Sequence, residues 1–345
     1  MKLSLCMIVK NEQEVLARCL DCAVKFADEI IIVDTGSTDQ TKSIAHKYTD
    51  KVYDFEWCDD FSKARNFSFS KAGGDYIIWL DADDIVTTEN ISKINQLKSK
   101  MQADIYMCTY ICGQGKNAMT FYRERILKND GSHFWQGFIH EAIWLKGKVE
   151  YTDIAITHGH KSTPHPRRNI NIFRKHIRQG EALDARLRYY YVKELYYNAY
   201  YKKCIHELKR IIASQQGSRP NIYDAYLTLG RCYRYLGEHK KAYKVWADML
   251  AIYKPSAELL CEMANELVAL GNDFSAIELY ERALYLDHDE AEFLRVEFKD
   301  YVPLMQLVML YYKIGDMAKA KEYHVRTKKL FPTDPAVQYN EQFFV

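Results

Sequence analysis

The chain has 345 residues, 48% hydrophobic and 27% charged, and its 48 Lys and Arg against 46 Asp and Glu leave a formal charge of +2. These values belong to a globular protein: they exclude collagen-like and disordered classes and give no overall pull toward nucleic acid or an anionic membrane. The length suits two domains, each able to bury its own core.

The first apolar run, 3–9, is cut by Lys10, Asn11 and Glu12. It is too short for a signal-peptide core, and no later run reaches the roughly 20 apolar residues of a membrane span, so a cytoplasmic location is expected. Nine scattered cysteines fit free thiols in a reducing compartment better than a disulfide framework. Cys19 and Cys22 form a single C-x-x-C, which reads as two thiols on one helix ahead of a redox motif or half a zinc site.

In chain order, β-branched and aromatic runs at 3–9, 29–33, 51–53, 76–80 and 105–111 predict strands. Between the first two, Val15, Leu16, Cys19, Cys22, Ala23 and Phe26 recur at helical spacing over 12–26, and a second helix is expected from Ser37 or Thr38 to Tyr48. Strand alternating with helix predicts an α/β nucleotide-binding domain over 1–165, built on a parallel sheet covered on both faces.

From 166 to 345 the text is helical and rich in Tyr, Leu and Ala. Gly237, Ala242 and Trp246 return 34 residues later as Gly271, Ala276 and Tyr280, and 44 further on as Gly315, Ala320 and His324, the extra length fitting an insertion around 290–299. An earlier degenerate copy places Cys204 at the Ala position, followed by Leu208 and Ile211. The period, with Leu229-Gly230 and Tyr233 in the best copy, resembles the tetratricopeptide repeat, an all-α fold of stacked helix pairs.

Four segments of the first half are rich in polar groups: Cys6-Met7-Ile8-Val9-Lys10-Asn11-Glu12, Val33-Asp34-Thr35-Gly36-Ser37-Thr38-Asp39, Ala64-Arg65-Asn66 and Trp79-Leu80-Asp81-Ala82-Asp83-Asp84. Their types and order resemble the family 2 glycosyltransferases of the GT-A fold, and more narrowly bacterial members fused to tetratricopeptide repeats. The resemblance implies a nucleotide-sugar-binding domain with Val9, Asn11, Glu12, Asp34, Arg65, Asp81 and Ala82 around the donor.

A carboxylate at a strand's carboxyl end, such as Asp34, can accept from a uracil N3–H or a ribose hydroxyl, while Asp39 reads as a helix starter. Clustered acids leaving an apolar strand call for a hard cation, Mn²⁺ or Mg²⁺. The resemblance gives Asp83 to the metal and Asp81 to the ribose or metal. Arg65 suits a bidentate bond to a diphosphate or to Asp81, and Lys63 is the weaker basic candidate.

Sugar transfer with inversion needs one base, which Gly137-Phe138-Ile139-His140-Glu141 supplies as Glu141 supported by His140, with Asp84 as competitor. His158 is the expected third metal ligand, His160 its alternative, and Arg168-Asn169 beyond Pro164 and Pro166 can also reach a diphosphate. The expected activity is a metal-dependent inverting hexosyl transfer from a nucleoside diphosphate, UDP first, to a peptide, protein or saccharide; relatives include enzymes that glycosylate a peptide cysteine. The repeats would hold the acceptor or a second copy. Two rivals are a non-catalytic repeat scaffold with a vestigial first half and a sugar-nucleotide pyrophosphorylase; the latter lacks its Gly-rich loop, since Lys10-Asn11-Glu12 stands there.

Overall fold

The computed structural model describes residues 1–113, 119–159, 167–286 and 295–344, so His160, Pro164 and Pro166 lie outside the described residues, as does part of 290–299. The chain divides into two compact units, Met1–Gln179 and Gly180–Val345.

In the first unit the elements are β1 (Leu3–Val9), α1 (Leu16–Ala23), β2 (Glu29–Asp34), α2 (Thr41–Ala45), β3 (Val52–Asp54), α3 (Phe61–Phe69), β4 (Tyr76–Trp79), β5 (Asp84–Ile85), α4 (Thr88–Lys98), β6 (Ile105–Cys112), β7 (Met119–Lys128), β8 (Trp135–Gln136), β9 (Ala142–Ile143), β10 (Val149–His158) and α5 (Arg168–Arg178). Among the described residues the main sheet runs β3-β2-β1-β4-β7-β6-β10-β5, and β8 pairs with β9 apart from it.

The first four strands of that order are parallel, as expected. The expectation of an all-parallel sheet is corrected: β7 enters antiparallel between β4 and β6, and β5 closes antiparallel on β10. The sheet is mixed because only six residues, 113–118, separate β6 from β7, fewer than a parallel crossover requires, so the two pair antiparallel.

The apolar runs are continuous because both faces of the strands are covered. Leu3, Leu5, Met7 and Val9 of β1 pack on one face with Leu16, Cys19 and Leu20 of α1 and with Ile94 of α4. Cys6 turns to the other face, where Ile31, Phe69, Ile77, Trp79 and Trp135 meet. The helix α3 begins where Asp60 accepts the Lys63 N–H at 3.0 Å, a side-chain N-cap.

The second unit is helical among its described residues: α6 (Ala185–Tyr197), α7 (Tyr201–Ser214), α8 (Arg219–Tyr235), α9 (His239–Met249), α10 (Ala257–Ala269), α11 (Asp273–Leu284), α12 (Tyr301–Lys313), α13 (Met317–Leu330) and α14 (Pro335–Glu341), with a 3₁₀ turn at Val296–Phe298. Gly237, Gly271 and Gly315 lie in the turns of α8–α9, α10–α11 and α12–α13, with φ of 74°, 79° and 85°, the left-handed region where glycine is least strained. Ala242, Ala276 and Ala320 are buried where the paired helices approach, next to buried Trp246, Tyr280 and His324. At Gly230 an added Cβ would stand 2.1 Å from Trp246 Cε2, so α8 and α9 cross with the indole against bare backbone. The degenerate copy is the pair α6–α7, with Ala199 at φ 59° where the others carry glycine.

Candidate active site

The polar segments gather at the carboxyl ends of β1, β2 and β4. Asp34 ends β2, buried, and its Oδ1 accepts from the N–H groups of Gly36 at 3.0 Å and Ser37 at 2.9 Å. Its Oδ2 is buried without a hydrogen-bond partner, a costly arrangement unless a ligand donates there. Asn11 sits at φ 53°, and its Oδ1 accepts the Thr38 N–H at 2.8 Å, tying the β1 and β2 loops together. Beside it the Glu12 N–H donates to Thr41 Oγ1 at 2.7 Å. Val9 and Ala82 are buried, Val9 lending its carbonyl to the Thr35 N–H at 3.0 Å.

Beyond β4 the three acids take different environments. Asp81 Oδ1 accepts from Arg65 Nη2 at 2.9 Å, and Arg65 Nε donates to Glu141 Oε1 at 2.7 Å. The guanidinium thus spans two carboxylates while its faces meet Trp79 and Trp135, with ring centroids 5.2 and 4.8 Å away. Burial opposes the Asp81 charge, but Arg65, Arg125 and Arg123 outweigh it and hold the carboxyl at about 2. Burial likewise opposes the charge on Arg65, yet Asp81 and Glu141 raise its pKa.

Asp84 is fully enclosed. Its Oδ2 accepts from Arg125 Nη1 and from the Asp81 N–H, both at 2.9 Å, and its Oδ1 accepts the Tyr110 hydroxyl at 2.8 Å. Burial pushes its carboxyl pKa up, with Arg125 pulling the other way. A carboxylate so enclosed and so fully bonded is out of reach of an acceptor, and it braces the turn that carries Asp81 and Asp83.

Asp83 is partly open. His158 Nδ1 lies 3.6 Å from Asp83 Oδ2 and 3.0 Å from the Tyr110 hydroxyl. Burial raises the Asp83 pKa, partly offset by His158. The Asp83 carbonyl accepts from Gly159 N at 2.9 Å and from Arg18 Nη2 at 3.2 Å, so α1 and the end of β10 both grip this residue's backbone. Ligand atoms of Asp83, Asp84 and His158 fall within 4.8 Å of one another. Because the Asp84 oxygens are already engaged, Asp83 and His158 are the pair whose chemistry, a hard oxygen with an imidazole nitrogen, fits Mn²⁺ or Mg²⁺.

Glu141 is held by a clamp absent from the sequence reading. The Asn66 carboxamide donates to the Trp135 carbonyl at 2.9 Å and accepts the Trp135 N–H at 2.8 Å, which fixes the short hairpin β8–β9 that leads through Gly137 and His140 to Glu141. His140 has φ 49° and its ring lies over Phe173, 6.4 Å between centroids. Lys63 points to Asp60 at 3.4 Å, largely exposed, while Arg168 covers Phe61 with 5.1 Å to the ring centroid. Asp39 binds the Thr41 N–H at 2.9 Å as a helix starter. Cys19 and Cys22 both lie on α1, Cys19 buried with its thiol on the Asp81 carbonyl at 3.6 Å. Arg125, Tyr110, Arg18 and Gly159 also escaped the sequence reading; the one usable signal was Arg123-Glu124-Arg125, two like charges on one face of a strand.

Residues 4–157 match the family model described as Glycosyl transferase family 2. The chain is 47% identical over 88 residues to a TPR repeat-containing protein of Synechococcus elongatus, covering 26% of this chain and 22% of that protein. It is 30% identical over 140 residues to the SPbeta prophage-derived glycosyltransferase SunS of Bacillus subtilis, covering 39% and 33%. Each match thus spans well under two thirds of the relative's own length. Among solved structures, S. aureus TarS 1–349 in complex with UDP-GlcNAc shows 13% identity and a TM-score of 0.40 over 95% of this chain and 91% of that one. No helix among the described residues is long and apolar enough to cross a membrane. The first unit of the chain thus carries the glycosyl transferase family 2 match over nearly its whole length, and a helical unit of tetratricopeptide-like repeats follows it.

Proposed function

We propose that the protein is an inverting, divalent-metal-dependent glycosyltransferase that moves a hexose from a nucleoside diphosphate, UDP in our reading, to a peptide, protein or saccharide acceptor. The observation that carries this reading is the pairing of two ligand-ready groups on one sheet edge: the unpartnered buried Asp34 oxygen and the Asp83–His158 pair. Asp34 ends β2, and Asp83 follows β4, two places along the same sheet. In this reading the first group meets the nucleoside and the second its diphosphate.

In this reading Asp34 Oδ2 accepts from the base or ribose, and Asp83 and His158 hold Mn²⁺ or Mg²⁺. The bound ion supplies positive charge against the departing diphosphate. Arg65 keeps Asp81 ionised and holds both Asp81 and Glu141 in place. Glu141 has Oε1 on Arg65 and its side chain is 11% exposed, which leaves Oε2 to take the acceptor's proton as the nucleophile attacks the anomeric carbon opposite the leaving group. No second nucleophilic carboxylate is required for inversion. Asp84, enclosed by Arg125 and Tyr110, has no part in proton transfer here. The helical unit helps to hold the acceptor, and we place the reaction in the cytoplasm.

The test is UDP release from UDP-sugars with and without Mn²⁺, read alongside calorimetry of UDP. Asp83→Ala should abolish the Mn²⁺ dependence of UDP binding. Glu141→Gln should leave UDP binding intact and lower turnover by about 10²- to 10⁴-fold. Unchanged Mn²⁺-dependent binding in the first variant, or wild-type turnover in the second, would overturn the respective role; a wild-type protein that binds no nucleotide would return the chain to the scaffold reading.

A further inference from the structure

Three arginines converge on the indole of Trp79, their guanidinium carbons 5.2, 5.1 and 3.7 Å from the ring for Arg65, Arg123 and Arg125. Two already hold carboxylates. Arg65 joins Asp81 to Glu141, and Arg125, fully buried and closed to a ligand, gives its Nη1 to Asp84 and to the Trp79 carbonyl at 3.1 Å, its Nε and Nη2 lying buried without partners.

Arg123 differs. Its side chain is 30% exposed, and among the described residues its guanidinium makes only two long polar contacts, 3.4 and 3.3 Å, both to the adjacent Glu124. Such a bond is weak and uses little of the five-donor fork. Strand β7 runs antiparallel beside β4, with Ile126 facing Ile78, so Arg123 comes level with the carboxyl end of β4, where Asp81 and Asp83 emerge. It shares the Arg125 face of the strand.

A partly open guanidinium, flat against an indole and pre-oriented by it, is built for bidentate contact with an oxyanion. Of the neighbouring carboxylates, Asp81 is taken by Arg65 and Asp84 by Arg125, and Glu124 meets the fork only through the two long contacts, which an incoming oxyanion can displace. We propose that Arg123 is the phosphate anchor of this site, its fork gripping a phosphoryl group at the edge of the Asp81–Asp83 cluster. This rests on the glycosyltransferase reading, in which the phosphoryl group belongs to the nucleoside diphosphate; a phosphate carried by the acceptor presents the same chemistry.

Calorimetry with the full chain and saturating Mn²⁺ tests the assignment, using UDP, inorganic pyrophosphate and uridine as probes, and inorganic phosphate titrated into UDP-saturated protein. Arg123→Gln should weaken UDP and pyrophosphate by about 10- to 100-fold, the scale of a lost charge-assisted pair, and leave uridine unchanged. Arg123→Lys should restore only part of the loss, since an ammonium lacks the fork. If UDP and pyrophosphate are unaffected but phosphate no longer binds beside UDP, the anchored group is the acceptor's. Equal affinity for every probe in wild type and both variants would overturn the proposal and leave Arg123 as packing on Trp79. Should Arg123→Gln unfold, as read by circular dichroism, Arg123→Lys alone decides, with undiminished pyrophosphate affinity counting against the anchor. A wild-type protein that binds pyrophosphate but not UDP would sink the nucleotide reading while leaving Arg123 open to the same comparison.

Discussion

At the scale of single residues, the Asp83–His158 pair depends on backbone as much as on carboxylates. A Cβ at Gly159 would stand 2.3 Å from the Asp83 carbonyl and 2.4 Å from Arg18. The carbonyl is backbone and cannot swing aside, so Gly159→Ala must push Asp83 off its present position. We expect that variant to fold yet to lose most of the Mn²⁺-dependent gain in UDP affinity, and calorimetry with and without the ion checks it. A different consequence attaches to His133, which is 7% exposed with both ring nitrogens lacking hydrogen-bond partners. Burial lowers its pKa, against the opposing pull of Asp130 and Asp104. The unfolded chain takes up this proton near pH 6.5 while the folded chain resists, so stability is full above about pH 6.5 and falls as the pH drops below it. His133→Leu should make that decline shallower between pH 7.5 and 5.5, measured as the urea midpoint of the first unit; an unchanged slope would show that other groups set it.

At the scale of elements, each helix pair of the second unit turns on a left-handed residue, and only the α6–α7 pair uses one with a side chain. Ala199, at φ 59°, bears a strain of roughly 1 kcal/mol that glycine avoids. Ala199→Gly should therefore raise the stability of the unit by up to about 1 kcal/mol, visible as a shift in its denaturant midpoint. The same pair shows why repeats are readable: a fixed turn, a small buried residue and an aromatic recur because each pair solves one packing problem. Strands β1, β2, β4 and β6 were equally legible, being apolar on both faces, and so was β3 from its short run at 51–53. The others were hidden for physical reasons. Arg123-Glu124-Arg125 interrupts the apolar alternation of β7 with charges that are met by carboxylates, Arg125 by buried Asp84 and Arg123 by Glu124, while β5, β8 and β9 are two residues each, shorter than any period can register. The first helix was expected over 12–26 but spans Leu16–Ala23, since Glu12 opens it as a turn, its carbonyl accepting from Val15 N at 3.1 Å and Leu16 N at 2.9 Å. Among the candidate site residues, Asp34, Arg65, Asp81, Asp83, Glu141 and His158 stand in segments that the sequence marks out. Asn66 could not be given its task, because a clamp on Trp135 joins residues 69 apart and nothing local announces it. Asp84 stands as a second base candidate on sequence alone, because a third acid in a row looks as available as its neighbours; its enclosure by Arg125 and Tyr110 has no local signal.

At the scale of the whole molecule, the strand-end groups lie within one unit. Asp34, Arg65, Asp81, Asp83, Glu141 and His158 all fall in Met1–Gln179, which includes α5 and has apolar clusters on both faces of its sheet. The helix α5 belongs with that unit because Phe173 and His176 meet Phe138, the His176 ring stacked at 3.8 Å and 4°, and because the His176 imidazole bonds the Asp59 carbonyl at 2.9 Å. A fragment cut at the expected boundary of 165 would lose these contacts beside Glu141. One ending at Gln179 keeps them. We therefore expect residues 1–179 to bind UDP with Mn²⁺ about as tightly as the full chain and to hydrolyse the donor slowly, while residues 1–165 bind it less well or unfold. The second unit has its own buried core around Leu260, Leu307 and Tyr280 and a repeat surface suited to an extended chain, so transfer to the natural acceptor should fall in the 1–179 fragment, because binding energy remote from the reacting atoms is lost. Calorimetry and a transfer assay on the two fragments separate the outcomes. Full-rate transfer by residues 1–179 would remove the repeats from acceptor binding, and failure of that fragment to fold would show that the first unit draws stability from the second.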